Sequence, residues 1–99
     1  MQKGILLEHP GLILQEEFLI PLHLSAYQVA KGTGLTQQAL GLILKGKRAI
    51  TAATSLRLDA YFSLSEGYFF RLQEDYELRL ARQEVGPRLL NEVTPLRRL

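Results

Sequence analysis

The segment of residues 25–48 constrains the fold most, because it contains the signals for two short helices joined by a tight turn. Ser25 can cap the first helix, since its hydroxyl can accept a hydrogen bond from a free amide of the first turn. Gly32 and Gly34 predict the end of that helix, because glycine readily adopts the positive φ that a turn between crossing helices requires. Thr36 then predicts the cap of the second helix.

Both helices have an inner apolar face. The apolar positions recur at spacings of three and four residues, which is typical of amphipathic helices. They are Ala26, Val29 and Ala30 in the first helix and Leu40, Ile43 and Leu44 in the second. Gly46 predicts the end of the second helix. The pattern therefore predicts a helix-turn-helix over about residues 25–45.

The outward positions of the second helix indicate a surface that reads DNA bases. Glutamine carries an amide oxygen and an NH2 group side by side, and this pair can match N6 and N7 of adenine in the major groove. Residues at the start of a docked helix are the ones that reach base edges. The predicted base-reading residues are Thr36, Gln37, Gln38, Gly41 and Leu42. For Leu42, contact with a thymine methyl and partial burial are both open.

A basic field surrounds this helix. No Asp or Glu occurs between Glu17 and Asp59, so no carboxylate of the segment offsets its cations. Such a field suits a phosphate backbone. The predicted phosphate-binding residues are Ser25, Gln28, Lys31, Lys45, Lys47 and Arg48. The alternative is a plain packed helix pair followed by a solvated basic loop.

Composition excludes several other functions. The absence of cysteine rules out disulfides and thiolate metal sites, and two histidines are too few for a metal centre without further ligands nearby. No serine has a histidine at a spacing that indicates a nucleophile, so we predict no enzyme, no metal and no cofactor. No run approaches the roughly 20 apolar residues of a membrane span. The N-terminus is too short for a signal peptide, so we expect a cytoplasmic protein.

The remaining sequence predicts three more helices and no strand, and therefore an all-α single domain over residues 1–99. Residues 1–8 are expected to form an arm with little structure, followed by a first helix from Pro10 to about Ile20. Thr51 is expected to cap the fourth helix. The fifth helix is predicted over about 66–85, capped by Ser65 and ended by Gly86-Pro87, with a tail over 87–99.

The fifth helix carries a stripe of large apolar residues. Its members recur at i, i+3, i+7 and i+11, which places them on one face. They are Phe69, Leu72, Tyr76 and Leu80. One interpretation is that all of them belong to the core. The other, which we favour, is that the stripe forms part of a dimer interface, as expected for a protein that binds a symmetric DNA site.

Several of these residues together resemble a known family. The spacing of Gln28, Ala30, Gly34, Leu35, Thr36, Leu40 and Ile43 resembles the helix-turn-helix of phage-repressor-type (Xre/Cro-like) DNA-binding domains. The start of the second helix, Thr36-Gln37-Gln38, is similar to the recognition helix of the phage 434 repressor. Flanking motifs resemble HigA-type antitoxins: His9-Pro10-Gly11, Glu16-Glu17-Phe18-Leu19, Pro21-Leu22, residues 46–51, Ala53 with Leu56-Arg57-Leu58, and the aromatic run from Tyr68 to Leu78.

The resemblance implies a sequence-specific repressor that binds a palindromic operator of double-stranded DNA as a homodimer. It further implies the antitoxin of a HigBA-type module, which neutralises a HigB/RelE-like ribonuclease toxin and represses its own operon. Two alternatives stay open at this point. One is a stand-alone regulator of the same fold without a toxin. The other is a protein-interaction module that has lost DNA binding, which Gly41 and the apolar Leu12, Ile20 and Leu42 would favour.

Overall fold

The computed structural model describes residues 8–97. These residues contain five α-helices and no strand, and a π-helical turn over Gln15–Leu19 continues the first helix. The helices are α1 (Pro10–Leu14), α2 (Ala26–Thr33), α3 (Gln37–Leu44), α4 (Ala52–Tyr61) and α5 (Tyr68–Glu92). The predicted all-α class with five helices and a long C-terminal helix is confirmed. The arm expected over 1–8 lies outside the described residues, except for Glu8.

Ser or Thr side chains cap the starts of α2, α3 and α4. The Ser25 hydroxyl accepts from the Gln28 amide at 3.0 Å, and the Gln28 side chain accepts from the Ser25 amide at 2.8 Å, which is a complete capping box. Thr36 accepts from the Ala39 amide at 3.0 Å, and Thr51 caps α4 in the same way. Each cap contributes about 1 kcal/mol of stability. The predicted caps at all three positions are confirmed.

The corner between α2 and α3 depends on Gly34, whose φ is +80°. Gly32 has another role, because α2 continues through it to Thr33. A Cβ on Gly32 would overlap Cε1 of Tyr61, so the absence of a side chain at Gly32 allows α2 to approach α4 closely. The prediction that Gly32 ends the helix is therefore wrong, and Gly34 alone supplies the turn.

One hydrophobic core joins the five helices. Helix α2 packs on α3 and α4, α1 packs on α3 and α5, and α4 packs on α5. Completely buried aliphatic and aromatic side chains come from every helix and from the loop before α4. They are Leu14, Val29, Leu40, Ile50, Leu58 and Phe69. This core fixes α3 between α1 and α2 and leaves its outward face open.

The start of α5 is capped from α4 rather than from its own sequence. The buried carboxylate of Asp59 accepts from the amides of Gly67 at 2.8 Å and Phe69 at 3.3 Å, and from the Ser55 hydroxyl at 2.9 Å. A negative charge at a helix N-terminus is favourable, since the free amides there carry partial positive charge. The predicted cap at Ser65 is wrong, because this long-range carboxylate takes the place of a local cap.

The end of α5 also differs from the prediction. The helix does not stop at Gly86-Pro87 but continues to Glu92, with Pro87 inside it. None of residues 81–97 is buried. The described chain measures 55 × 34 × 22 Å with a radius of gyration of 16.9 Å. A compact chain of this length would have a radius of about 13 Å. The C-terminal part of α5 therefore projects from the core.

Candidate nucleic-acid interface

The first turn of α3 presents both glutamines to solvent. Gln37 and Gln38 are exposed and follow directly after the cap residue Thr36. The Thr36 hydroxyl accepts from the Ala39 amide, and its own proton remains available to donate. The predicted base-reading side chains of Thr36, Gln37 and Gln38 therefore lie together at one helix end, which is the arrangement that reaches base edges in a docked helix.

Gly41 and Leu42 continue this surface along α3. A Cβ added to Gly41 would meet no other atom within 4 Å, so no packing inside the chain requires glycine here. The open space above Gly41 is a place where another molecule can approach the helix backbone closely. Leu42 is half-buried, which agrees with the interpretation that it is partly buried within the chain.

The predicted phosphate-binding cations are all exposed. Lys31 lies on α2, with its ammonium nitrogen 5.9 Å from the centre of the Tyr27 ring. Lys45, Lys47 and Arg48 follow α3 in a tight turn around Gly46, whose φ is +74°. These cations therefore flank α3, with three of them at its C-terminal end and Lys31 on the preceding helix.

This turn is a Schellman motif. The Gly46 amide donates to the Ile43 carbonyl at 2.9 Å, and the Lys47 amide donates to the Leu42 carbonyl at 2.9 Å. These two bonds satisfy carbonyls that the end of a helix otherwise leaves free. The predicted end of α3 at Gly46 is confirmed, and the motif directs the chain away from the helix with Lys47 and Arg48 exposed.

Ser25 and Gln28 retain free donors in spite of their capping box. Each side-chain oxygen accepts one backbone amide, which leaves the Ser25 hydroxyl proton and the Gln28 NH2 group unused by that motif. Both residues are exposed at the start of α2. Their predicted contacts with the DNA backbone are therefore chemically compatible with the structural role that each one has.

The apolar stripe predicted as a dimer interface is largely used within the chain. Phe69 is completely buried in the core, so its assignment to an interface does not hold. Leu72 is partly buried against the same core, and the Tyr76 ring packs edge-on against His9 at 5.2 Å. Leu80 is half-buried. The spacing of the stripe was correct, but helical spacing does not distinguish a face that packs inward from one that meets a partner.

Two apolar residues that would favour a protein-interaction module, Leu12 and Ile20, differ in their exposure. Leu12 is half-buried, and a Cβ on Gly46 would lie 3.9 Å from its Cγ, so it packs toward the turn after α3. Ile20 retains 57% of its exposure. Of the two residues, Ile20 is therefore the one that presents apolar surface to solvent.

His9 is a buried polar residue at the start of α1. Its Nδ1 atom accepts from the Gly11 amide at 2.9 Å, so the ring caps the helix in its neutral form. Burial lowers the pKa of His9, and the negative charge of Glu77 opposes that shift. The cap, the burial and the lowered pKa all favour an uncharged ring in the folded protein.

Sequence reasoning missed an exposed aromatic residue next to the predicted interface. Tyr27 retains 56% of its exposure and lies on α2 beside Lys31. Its phenol group can donate a hydrogen bond to a phosphate oxygen. The signal was present in the sequence, because Tyr27 occupies a position between two predicted backbone-binding residues, Ser25 and Gln28, at the start of α2.

Two further properties of residues 8–97 bear on function. None of their helices combines the length and the apolar character needed to cross a membrane. In the same residues, no group of three or more His, Cys, Asp or Glu side chains is placed to hold a metal ion.

Comparison with known proteins agrees with this geometry. Residues 15–69 match the family model described as helix-turn-helix. Virulence-associated protein I of Dichelobacter nodosus is 38% identical over 88 residues, which cover 89% of this chain and 80% of the relative.

Two solved structures are similar over nearly the whole chain. The Pseudomonas aeruginosa antitoxin HigA, solved with the higBA promoter, has 30% identity and a TM-score of 0.86, and the match covers 93% of this chain and 100% of that one. An addiction module antidote protein of the HigA family from Coxiella burnetii has 37% identity and a TM-score of 0.83 over 91% and 98% of the two chains. The chain thus belongs to the HigA-type antitoxins of the Xre/Cro-like helix-turn-helix family.

Proposed function

We propose that this protein is a sequence-specific DNA-binding repressor and the antitoxin of a HigBA-type module. It binds a palindromic operator as a homodimer, represses its own operon in the cytoplasm and neutralises a ribonuclease toxin. The proposal involves no catalysis, metal or cofactor. One observation carries it: the exposed glutamines at the start of α3 are flanked by four exposed cations, and no Asp or Glu occurs between Glu17 and Asp59.

In this proposal α3 enters the major groove with its N-terminal turn foremost. The side chains of Gln37 and Gln38 pair with base edges, and a good bidentate contact discriminates against the wrong base by about 1–3 kcal/mol. Gly41 lets the helix backbone come close to the groove. Leu42 contributes an apolar contact from the same face, alongside its packing within the chain.

The cations hold the phosphates on both sides of the groove. Lys31 approaches from α2, and Lys45, Lys47 and Arg48 approach from the turn after α3. Ser25 and Gln28 donate to the backbone through the groups that their capping box leaves free. Phosphate contacts of this kind fix the orientation of the helix, and base contacts supply the specificity. The HigA structure with its promoter supports the proposal, because this chain is similar to that protein over the full helix-turn-helix.

For the dimer, we propose the projecting end of α5 as the main contact. Leu78, Ala81, Val85 and Leu89 recur at helical spacing and line an apolar groove on this part of the helix. Leu78 is 59% exposed to solvent, and Leu89 is 46% exposed. The projecting segment by itself is about as short as the helices that are marginal in water, and Pro87 weakens it further. Burial against a second copy would remove this apolar groove from water.

The test is a gel shift of the purified protein with the DNA upstream of its own gene, over a series of salt concentrations. We expect a retarded complex that survives competitor DNA and weakens steeply with salt. Absence of binding from low to physiological salt would contradict the repressor function. The antitoxin function is tested separately, by co-expression with the product of the neighbouring gene: we expect rescue of growth, and no rescue would leave a stand-alone regulator.

A further inference from the structure

The basic loop, defined here as residues 45–50, carries three of the exposed cations. Its position is fixed by contacts with side chains from other parts of the chain. Its last residue, Ile50, is completely buried. The Ile50 amide donates to Oε1 of Gln73 at 2.9 Å. Gln73 lies on α5 and is itself only 3% exposed. A buried amide donor is costly without a partner, so this bond holds the end of the loop against α5.

A second side chain holds Gln73 in place. The Nε2 atom of Gln73 donates to Oε2 of Glu77 at 2.8 Å, one turn further along α5. The amide group is therefore oriented at both ends, with its oxygen toward the loop and its nitrogen toward a carboxylate. A bond to a charged acceptor is stronger than a neutral one, which makes this orientation the stable one.

The start of the loop rests on α1. A Cβ on Gly46 would lie 3.4 Å from Cβ of His9, so the Gly46 backbone contacts this side chain. The His9 ring in turn packs on Tyr76 of α5. Close by, a Cβ on Gly11 would overlap the carbonyl oxygen of Ile43, so α1 lies directly against the last turn of α3. Both ends of the loop are thus connected to one short stretch of α5.

We propose that Gln73 is a positioning residue for DNA binding. It fixes the basic loop so that Lys47 and Arg48 meet the phosphates while α3 lies in the groove. Gln73 does not touch DNA, and its effect passes through the Ile50 amide. This inference rests on the proposed DNA-binding function. It also means that the helix proposed to carry the dimer contact supports the phosphate-binding loop directly.

The test uses variants that break the anchor and rebuild it. Gln73→Leu removes the acceptor for the Ile50 amide. The double variant Q73E/E77Q keeps the bond from the Ile50 amide and restores the bond between 73 and 77 in the opposite direction, since a carboxylate at 73 accepts both from the Ile50 amide and from a glutamine at 77. Ser55→Ala is the matched control. It removes buried hydrogen bonds to Asp59 and to the Phe70 amide at the start of α5, and neither partner belongs to the basic loop.

Two measurements follow on each full-length variant: the salt dependence of binding to the upstream DNA, and amide hydrogen exchange of residues 45–50 in the free protein. For Gln73→Leu we expect roughly tenfold weaker binding and a salt slope that is shallower by about 0.9 for each phosphate that the loop no longer neutralises. We also expect faster exchange at Ile50. The double variant should restore both properties, and Ser55→Ala should keep the slope of the original protein.

The proposal is overturned if Gln73→Leu binds DNA with an unchanged slope, or if its loop amides exchange at unchanged rates. Absence of DNA binding by the unmodified protein would refute the proposed function. The hydrogen-exchange rates would still show whether Gln73 fixes the basic loop. Should Gln73→Leu fail to fold, Gln73→Glu takes its place, because its carboxylate can no longer donate to Glu77 and is repelled by it, which disturbs the orientation that accepts from the Ile50 amide. Glu77→Gln must then rescue its DNA binding, and lack of rescue overturns the proposal.

Discussion

The helix-turn-helix and the projecting end of α5 are stabilised in different ways. Between residues 25 and 61, each helix has a side-chain cap at its start, and each contributes completely buried residues to the core. Beyond residue 80, no described residue is buried, and Gly86 and Pro87 lie within the helix in spite of their poor helix propensity. The first region is stable through contacts inside the chain, whereas the second is a helical segment that no other part of the described chain covers.

This difference separates DNA reading, which a single copy of the protein can perform, from association, which needs two copies. The surface proposed to read DNA is complete within a single chain, because α3 is held by α1, α2 and the core. The surface proposed for association is only half of a contact. Substitutions in the two regions should therefore differ in whether their effects depend on protein concentration.

The largest effect is expected for Phe69→Ala. Phe69 is completely buried and packs against Phe18 at 5.2 Å and Phe62 at 6.3 Å. Loss of a buried phenylalanine side chain costs about 3–5 kcal/mol. Urea unfolding should show this loss at every protein concentration. Leu90→Ala, at a side chain that is 94% exposed, is the control and should change stability little. A loss for Phe69→Ala that disappears on dilution would return Phe69 to the dimer interface.

The next effect is expected for Leu89→Asp on the projecting part of α5. A charge in the centre of the apolar contact should weaken the dimer by more than about 2 kcal/mol. Analytical ultracentrifugation over a dilution series measures this change, and helix content should fall with it. Leu90→Asp is the matched control, because Leu90 does not line the groove. If both variants remain dimeric, another surface holds the two copies together.

Gly41→Ala is expected to have two smaller effects of opposite sign, one on stability and one on DNA binding. Alanine in a helix interior is more stable than glycine by about 0.5–1 kcal/mol, and the space around Gly41 is open. The variant should therefore unfold at a higher temperature but bind operator DNA less tightly, because the new methyl group faces the groove. Calorimetry and a DNA titration give the two values. Unchanged DNA binding would remove Gly41 from the recognition surface.

The smallest effect is expected from pH. The pKa of His9 is lowered by burial in the folded protein, so the unfolded chain binds more protons at pH values just below the ordinary pKa of 6.5. The contribution of neutral His9 to stability is therefore fully present above pH 6.5 and declines as the pH falls. Urea unfolding from neutral to mildly acidic pH measures the decline. His9→Asn should flatten it, whereas His23→Asn, at an exposed position, should leave it in place.

Prediction from sequence succeeded where local chemistry determines structure. The caps at Ser25, Thr36 and Thr51 and the turn at Gly46 depend on residues within a few positions of each other. The ion pair between Asp75 and Arg79, at 3.0 Å, is local in the same sense, since the two residues lie one helical turn apart on α5.

Prediction failed where distant residues meet. Nothing near position 67 in the sequence indicates that Asp59 caps α5, and nothing near position 50 indicates that Gln73 anchors the loop. Gly32 was misassigned because its role is close contact with Tyr61 rather than a turn. The continuation of α5 past Pro87 contradicts local propensity altogether. For the recognition surface, the residues that remain exposed followed from helical spacing, but their contacts with bases and phosphates stay predictions.

The central claim is that α3 reads bases while the basic loop holds phosphates. The most direct measurement compares Gln38→Ala and Lys47→Ala in titrations of operator and scrambled duplexes over one salt series. Gln38→Ala should lose about 1–3 kcal/mol on the operator only. Lys47→Ala should weaken binding to both duplexes and reduce the salt slope by about 1. Equal losses on both duplexes for Gln38→Ala, or an unchanged slope for Lys47→Ala, would contradict this division of roles.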